Sequence, residues 1–218
     1  MTGFIKHDEP VLIWTGRAML DGVMTVPRTA EGLVVIVGLG GTFHHQPIRA
    51  IASEFHDERF ATLIADVLTG DEQQFDSRTG HFRLDTALLT SRIRDIVEWA
   101  QSEETTRALP VALFAGAATA AACISASEQV TLFAMTLNAP RFDAVRDWLP
   151  ALAVPTLFLF DHRPTFENMC ELTQNQCVTS VVTVPGASSL IDNDLAAAMA
   201  ARESVSWFSE NVPAPAMA

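Results

Sequence analysis

The chain is short of basic residues, of cysteine pairs and of long apolar runs, and each shortage removes a class of function. Fourteen lysines and arginines stand against 26 acidic side chains, a net charge of −12. That balance repels phosphate backbones and anionic lipid, so neither nucleic acid nor a membrane surface is an expected partner of this acidic protein. Three cysteines, Cys123, Cys170 and Cys177, cannot all pair and form no CxxC motif. They read as reduced thiols of a cytoplasmic protein, and no ligand spacing around Cys170 and Cys177 supports a metal. No apolar run reaches the ~18 residues that cross a bilayer. The first ten residues mix charges of both signs without a continuous apolar stretch, so they do not read as a secretory leader.

Apolar residues are plentiful: they make up 49% of 218 positions against 18% charged, which argues for a folded chain rather than a disordered one. Val11–Met19 and Gly22–Val26 flank Leu20-Asp21-Gly22, a turn signal, and predict an antiparallel hairpin. Leu33-Val34-Val35-Ile36-Val37 is wholly apolar and β-branched, as suits a strand buried on both faces of a parallel sheet. Further strands are expected at Ala61–Asp66, Leu109–Phe114, Val130–Leu137, Thr156–Asp161 and Val178–Val184. Helices are expected at Gln46–His56, after a cap at Asp85, at Ala115–Ser127, Arg141–Leu149, Thr165–Thr173 and Leu195–Glu210. In the helix after Asp85, Leu89, Ile93, Ile96, Val97 and Ala100 fall on one face. The polar stretch Thr69–Phe82, with Gly70 and Gly80, reads as a long loop. Strands alternating with helices predict right-handed crossovers and a mostly parallel sheet covered on both faces. One domain over residues 1–210 and a flexible tail over 211–218 are expected.

The loop Gly38-Leu39-Gly40-Gly41-Thr42-Phe43 follows a strand and precedes a helix. It is no dinucleotide fingerprint, because Phe43 stands where the third glycine belongs, and no Gly-Lys-Ser/Thr follows as in a P-loop. No cofactor is expected. The ordered series of features resembles the α/β-hydrolase fold, in the small, lidless branch of the dienelactone hydrolases. Carrying it are Gly32-Leu33-Val34-Val35, the glycine turn with His45 and Pro47, Ala61 to Thr69, and Arg83-Leu84-Asp85. Leu113-Phe114, Pro155-Thr156-Leu157 and Val184-Pro185-Gly186-Ala187 complete it, so the series runs from Trp14 to Phe208.

That resemblance implies a nucleophile on the strained turn of G-x-S-x-G, or its cysteine counterpart. The corresponding stretch is Ala115-Gly116-Ala117-Ala118-Thr119, with Ala117 at the nucleophile position. Aligning Pro155-Thr156-Leu157 puts Pro164 at the acid position, and the Pro185-Gly186 loop puts Ser189 at the base position. The resemblance therefore implies a pseudoenzyme: a binding or regulatory protein without catalytic residues. The alternative is an esterase-like hydrolase of small esters or lactones with a rebuilt site. Backbone N–H groups of Ala118 and of Leu39 or Gly40 correspond to the oxyanion hole, so a carbonyl or carboxylate ligand is expected at Leu39, Gly40, Ala117, Ala118, His162 and Ser189. A Ser189–His162 dyad and a metal on His44, His45 and Asp161 are two further arrangements the sequence allows. His45 also suits a loop-ordering role, and Asp66 a turn-capping one. A protein partner or a second copy of the chain completes the candidate partners.

Overall fold

The computed structural model describes residues 8–138, 142–165, 168, 172 and 179–214. Eight strands form one sheet: β1 (Glu9–Trp14), β2 (Met19–Thr25), β3 (Gly32–Gly38), β4 (Phe60–Asp66), β5 (Val111–Ala115), β6 (Ala134–Asn138), β7 (Thr156–Phe160) and β8 (Thr179–Thr183). Their order is β1-β2-β4-β3-β5-β6-β7-β8. β1 and β2 are antiparallel to each other, and β2 is antiparallel to β4; every other pairing is parallel. The α-helices whose bounds fall among the described residues are α1 (Gln46–Asp57), α2 (Gly70–Thr79), α3 (Thr86–Ser102), α4 (Ala120–Ser127), α5 (Phe142–Val145) and α6 (Asp194–Asn211).

The period-two alternation of strands divides the core between the faces. Leu33, Val35 and Val37 of β3 pack with Leu89, Ile93 and Ile96 of α3 and with α4. Val34 and Ile36 turn the other way, onto Ile51 and Phe55 of α1 and onto α6. Fully buried Phe208 of α6 sits 5.7 Å from the Phe55 ring and 6.3 Å from Phe60. Because both faces are covered, all seven residues of β3 are buried, which is why that stretch reads as one apolar run. Asp85 caps α3, accepting the Leu88 N–H at 2.9 Å.

Three local expectations are corrected. The hairpin turns at Thr15–Ala18, not at Leu20-Asp21-Gly22, which lies inside β2. Gly16 supplies the positive φ of 74°, and the Thr15 N–H and hydroxyl both donate to the Ala18 carbonyl. The stretch Thr69–Phe82 is mostly helix rather than loop. Thr69 and Glu72 form a reciprocal capping box at the start of α2, and Gly80 closes it at φ 65°. The helix expected at Arg141–Leu149 is the single turn α5 followed by a 3-10 turn, Arg146–Ala151, whose Pro150 has no N–H to give. Cys170, Cys177 and most of the helix expected at Thr165–Thr173 lie outside the described residues.

α1 carries a titratable group against the sheet. His56 Nε2 is 2.8 Å from the Thr62 hydroxyl of β4. Burial holds its pKa below the usual 6.5, with Asp8 and Asp57 opposing the shift. The folded chain therefore resists a proton that the unfolded chain accepts. This contribution to stability is full above pH 6.5 and is lost as pH falls from there through the folded pKa. In denaturant titrations stepped from pH 7.5 to 5, His56→Gln is expected to give a flatter profile than the parent; parallel profiles contradict the assignment.

Candidate functional site

The carboxyl ends of β3 and β5 part around a cavity of about 280 Å³. Cavities at this edge are where open α/β sheets bind ligands. On the β3 side the chain turns through Leu39, Gly40 and Gly41, the last at φ 66°, into a 3-10 turn over Thr42–His44. Asp66, buried at the end of β4, anchors this turn: its two carboxylate oxygens lie 3.2 and 3.3 Å from the Thr42 N–H. Burial raises the Asp66 pKa, while bonds from the Thr42 hydroxyl and the Thr42 and Gly41 N–H groups pull it back. His45 ends the turn as the N-cap of α1, its carbonyl accepting from Ile48 and Arg49, and it is among the residues that line the cavity. The turn-capping role of Asp66 and the loop-ordering place of His45 are thus both visible.

On the β5 side, Gly116 to Thr119 make the turn into α4. Ala117 and Ala118 line the cavity, and neither N–H finds an acceptor among the described residues. They lie in the turn just before Thr119, the N-cap of α4. Leu39 and Gly40 line the opposite wall. The structure therefore brings together four of the residues expected at the site. It does not bring Ser189 or His162: both are exposed, neither lines the cavity, and no hydrogen bond joins them. Pro164 is likewise not among the lining residues. Ser188, the preceding residue of the 3-10 turn Ala187–Asp192, is among the lining residues instead.

Asp161, just past β7, reaches the turn after β8. It accepts the Gly186 N–H at 2.6 Å and, with its other oxygen, the Ser188 hydroxyl. These bonds, the Ser188 one foremost, hold its carboxyl below the usual range. Among the described residues, no three His, Cys, Asp or Glu side chains are placed to hold a metal, so His44, His45 and Asp161 form no such group. Cys123 is buried in α4, and burial drives its thiol pKa far up, which makes it a core residue. Among the described residues, no helix is long and apolar enough to cross a membrane.

Sequence reasoning missed Asn138, which closes β6 at the cavity wall and is 4% exposed. Its Nδ2 donates to the Ala187 carbonyl at 2.7 Å, while its Oδ1 has no donor. The available signal was a polar side chain ending the buried strand Ala-Met-Thr-Leu-Asn at the ligand edge. A wider groove of about 1160 Å³ runs between the hairpin turn and α3. It lies away from the glycine turn, and its Arg92 and Arg94 are already paired with Glu72 and Asp95.

Strand order, the antiparallel pair at one edge, helices on both faces and the cavity at the β5–α4 turn together define an α/β-hydrolase fold of the dienelactone hydrolase-like kind. The comparisons agree. The structure is similar to dienelactone hydrolase from Anabaena variabilis, with a TM-score of 0.82 and 27% identity, over 95% of this chain and 99% of that one. It is similar in fold to P91, a dienelactone hydrolase-like promiscuous phosphotriesterase from metagenomic libraries, with a TM-score of 0.71 and 15% identity over 97% of this chain and 100% of that one. Est1E from Butyrivibrio proteoclasticus shares the fold at a TM-score of 0.67 and 12% identity, over 95% and 100% of the two chains. In sequence the chain is 29% identical over 219 residues to a Mycobacterium tuberculosis protein, known from two strains, that is named as a proposed phosphoribosyl transferase. The match takes in 96% of this chain and 48% of that protein, so the chain spans about half the length of the curated relatives it matches. No family model matches the sequence.

Proposed function

We propose that this chain is a cytoplasmic, non-catalytic pseudo-hydrolase that binds a small carbonyl or carboxylate compound at the carboxyl edge of its sheet, in a regulatory or carrier role. The observation that carries this reading is Ala117: a methyl group, beside two N–H groups without acceptors, heads the turn where the resemblance expects a nucleophile. Activation of a hydroxyl needs an adjacent base. The cavity's own hydroxyls point their protons elsewhere, Thr42 to Asp66, Thr119 to the Gly116 carbonyl at 3.3 Å, and Ser188 to Asp161. Pro164 and Ser189, at the acid and base positions of the resemblance, supply neither a carboxylate nor an imidazole. The donors that remain suit binding without turnover.

The second reading, an esterase-like hydrolase with a rebuilt site, draws on the Ser188–Asp161 contact and on His45 at the same cavity. Hydrolysis of short acyl esters at high protein concentration separates the two. The parent, Ser188→Ala, Ser189→Ala and Ala117→Ser proteins are all expected to match buffer. Turnover that disappears in Ser188→Ala or Ser189→Ala overturns the binding reading, and turnover in Ala117→Ser overturns the assignment of acid and base. The phosphoribosyl transferase name of the longer relatives is not carried over, because among the described residues no arginine or lysine lines this cavity to meet a diphosphate. Their extra length supports a role beside a second domain or protein partner.

A further inference from the structure

Among the described residues β1 is an outermost strand of the sheet, paired on one side only. Sheet edges that stay open are commonly blunted by lysine, proline or a bulge. β1 has Pro10 near its start, yet Val11 to Trp14 are all apolar and no charge stands between Glu9 and Arg17. Ile13 and its cross-strand partner Leu20 are buried in the core that α3 covers. The alternate residues Leu12, Trp14 and Met19 point away from that core and are 61, 59 and 46% exposed. Trp14 stands opposite Met19, so the three make one apolar ribbon along the edge.

The backbone shows which groups this edge offers. The Thr15 N–H turns inward, onto the Ala18 carbonyl at 2.9 Å. Successive residues of a strand present their N–H and C=O groups to opposite sides, so Val11 and Ile13 face β2 while Leu12 and Trp14 face outward. Pro10 belongs to the outward set, where its missing N–H takes nothing from the pairing with β2.

We infer that β1 pairs antiparallel with β1 of a second copy of this chain, about a two-fold axis at Ile13. In that register Leu12 of each copy stands opposite Trp14 of the other, and the N–H and C=O groups of both residues are satisfied. Their side chains close over one face as a single apolar cluster. Pro10 falls opposite Gly16 of the hairpin turn, beyond the ladder, so its missing donor leaves nothing unpaired. Moving the axis to Leu12 would set Trp14 against Pro10 and lose a bond at each end. The same register brings Glu9 of one copy level with Arg17 of the other, and among the described residues Arg17 makes no ion pair in its own chain. An acid at one end, a base at the other and apolar residues between them make the edge complementary to itself, as a two-fold contact requires. The copies carry −12 each, but at physiological salt charges more than about 8 Å apart are largely screened. Nothing in this inference depends on the cavity.

Sedimentation velocity of the whole chain, over a concentration series reaching the millimolar range at physiological salt, is the test. The 23.7 kDa chain is expected to pass into a species of twice that mass. Leu12→Lys is expected to hold it monomeric, and an unchanged Tm checks that this exposed position leaves the fold intact. Arg17→Glu is expected to raise the dissociation constant about fivefold or more, since like charges replace an ion pair at both ends of the contact. Glu9→Arg/Arg17→Glu is expected to restore it, and this exchange stands as a test of the register even where Leu12→Lys fails to fold. A chain monomeric throughout, or a dimer that Leu12→Lys leaves intact, overturns the inference. So does a loss in Arg17→Glu that the double exchange fails to recover.

Discussion

Gly38→Ala is expected to lower the stability of the folded chain by about 3 kcal/mol or more, at or beyond the upper end of ordinary overpacking. A Cβ built at Gly38 falls 1.6 Å from the Thr42 hydroxyl oxygen and 2.3 Å from the Thr42 Cβ. No rotamer of Thr42 relieves the second contact, since its Cβ is fixed by the backbone. Nor can the backbone easily move, because Asp66 holds the Thr42 N–H and β3 is paired on both sides. The methyl group must therefore displace the glycine turn or the strand that carries it. Thr42→Gly in the same chain removes the clashing atoms and should recover part of the loss. Chemical denaturation of the three variants checks both halves; a loss below about 1 kcal/mol in Gly38→Ala, at the foot of the overpacking range, contradicts the argument.

The second large effect is expected from Arg92, which is buried on α3 and donates to three acceptors. Its guanidinium bonds the Val67 carbonyl at 2.7 Å and grips Glu72 through both carboxylate oxygens, at 2.6 and 2.7 Å. The Arg92 bond is the largest influence holding the Glu72 carboxyl below its usual range. Glu72 in turn caps α2 by accepting the Thr69 N–H at 2.9 Å. Arg92→Leu takes a donor from the Val67 carbonyl and the cation from the partly buried Glu72 carboxylate, which keeps its Thr69 bond. Removing one partner of a buried pair costs about 3 kcal/mol, the upper figure here. For a domain of this size that is a fall in Tm of about 6 to 12 °C. Arg92→Leu/Glu72→Leu should be less damaging than the sum of the single changes, as residues of one network are not additive. Additive losses in that cycle contradict the coupling.

The sheet was legible in the sequence because burial on both faces leaves an unmistakable mark: Leu33 to Val37 has no polar residue to hide. The same clarity marked the α3 stripe and the Asp85 cap. The hairpin turn was misplaced because Asp21-Gly22 has turn composition, yet Gly22 is held in β2 by pairing with both Val11 and Ala65. Tertiary pairing outweighed local preference there. α2 was hidden for the opposite reason. Its helix has only Asp76 buried, so no apolar period announces it, although Thr69-x-x-Glu72 and Gly80 spelled out its two ends. At the site, the backbone half was readable from resemblance: Leu39, Gly40, Ala117 and Ala118 do converge. In the turn after β8 the cavity is lined by Ser188 rather than by its exposed neighbour Ser189, a one-residue difference that no spacing in the sequence announces. Asn138 belongs to no motif, and its role depends on Ala187, 49 residues away, which only the fold brings within reach.

The strand order also fixes a sequence of assembly. β1 and β2 are adjacent in the chain and can zip together on their own, but the hairpin docks on β4 and skips β3. During synthesis the first pair of strands made therefore waits until β4 has been made and α1 has carried it alongside β3. In that interval Leu20 and Met24, buried in the finished sheet, have only each other's hairpin for cover. A two-stranded ribbon alone is marginal in water. The edge of this sheet is thus translated first yet secured only once β4 is in place, and until then it leaves apolar side chains in reach of a chaperone.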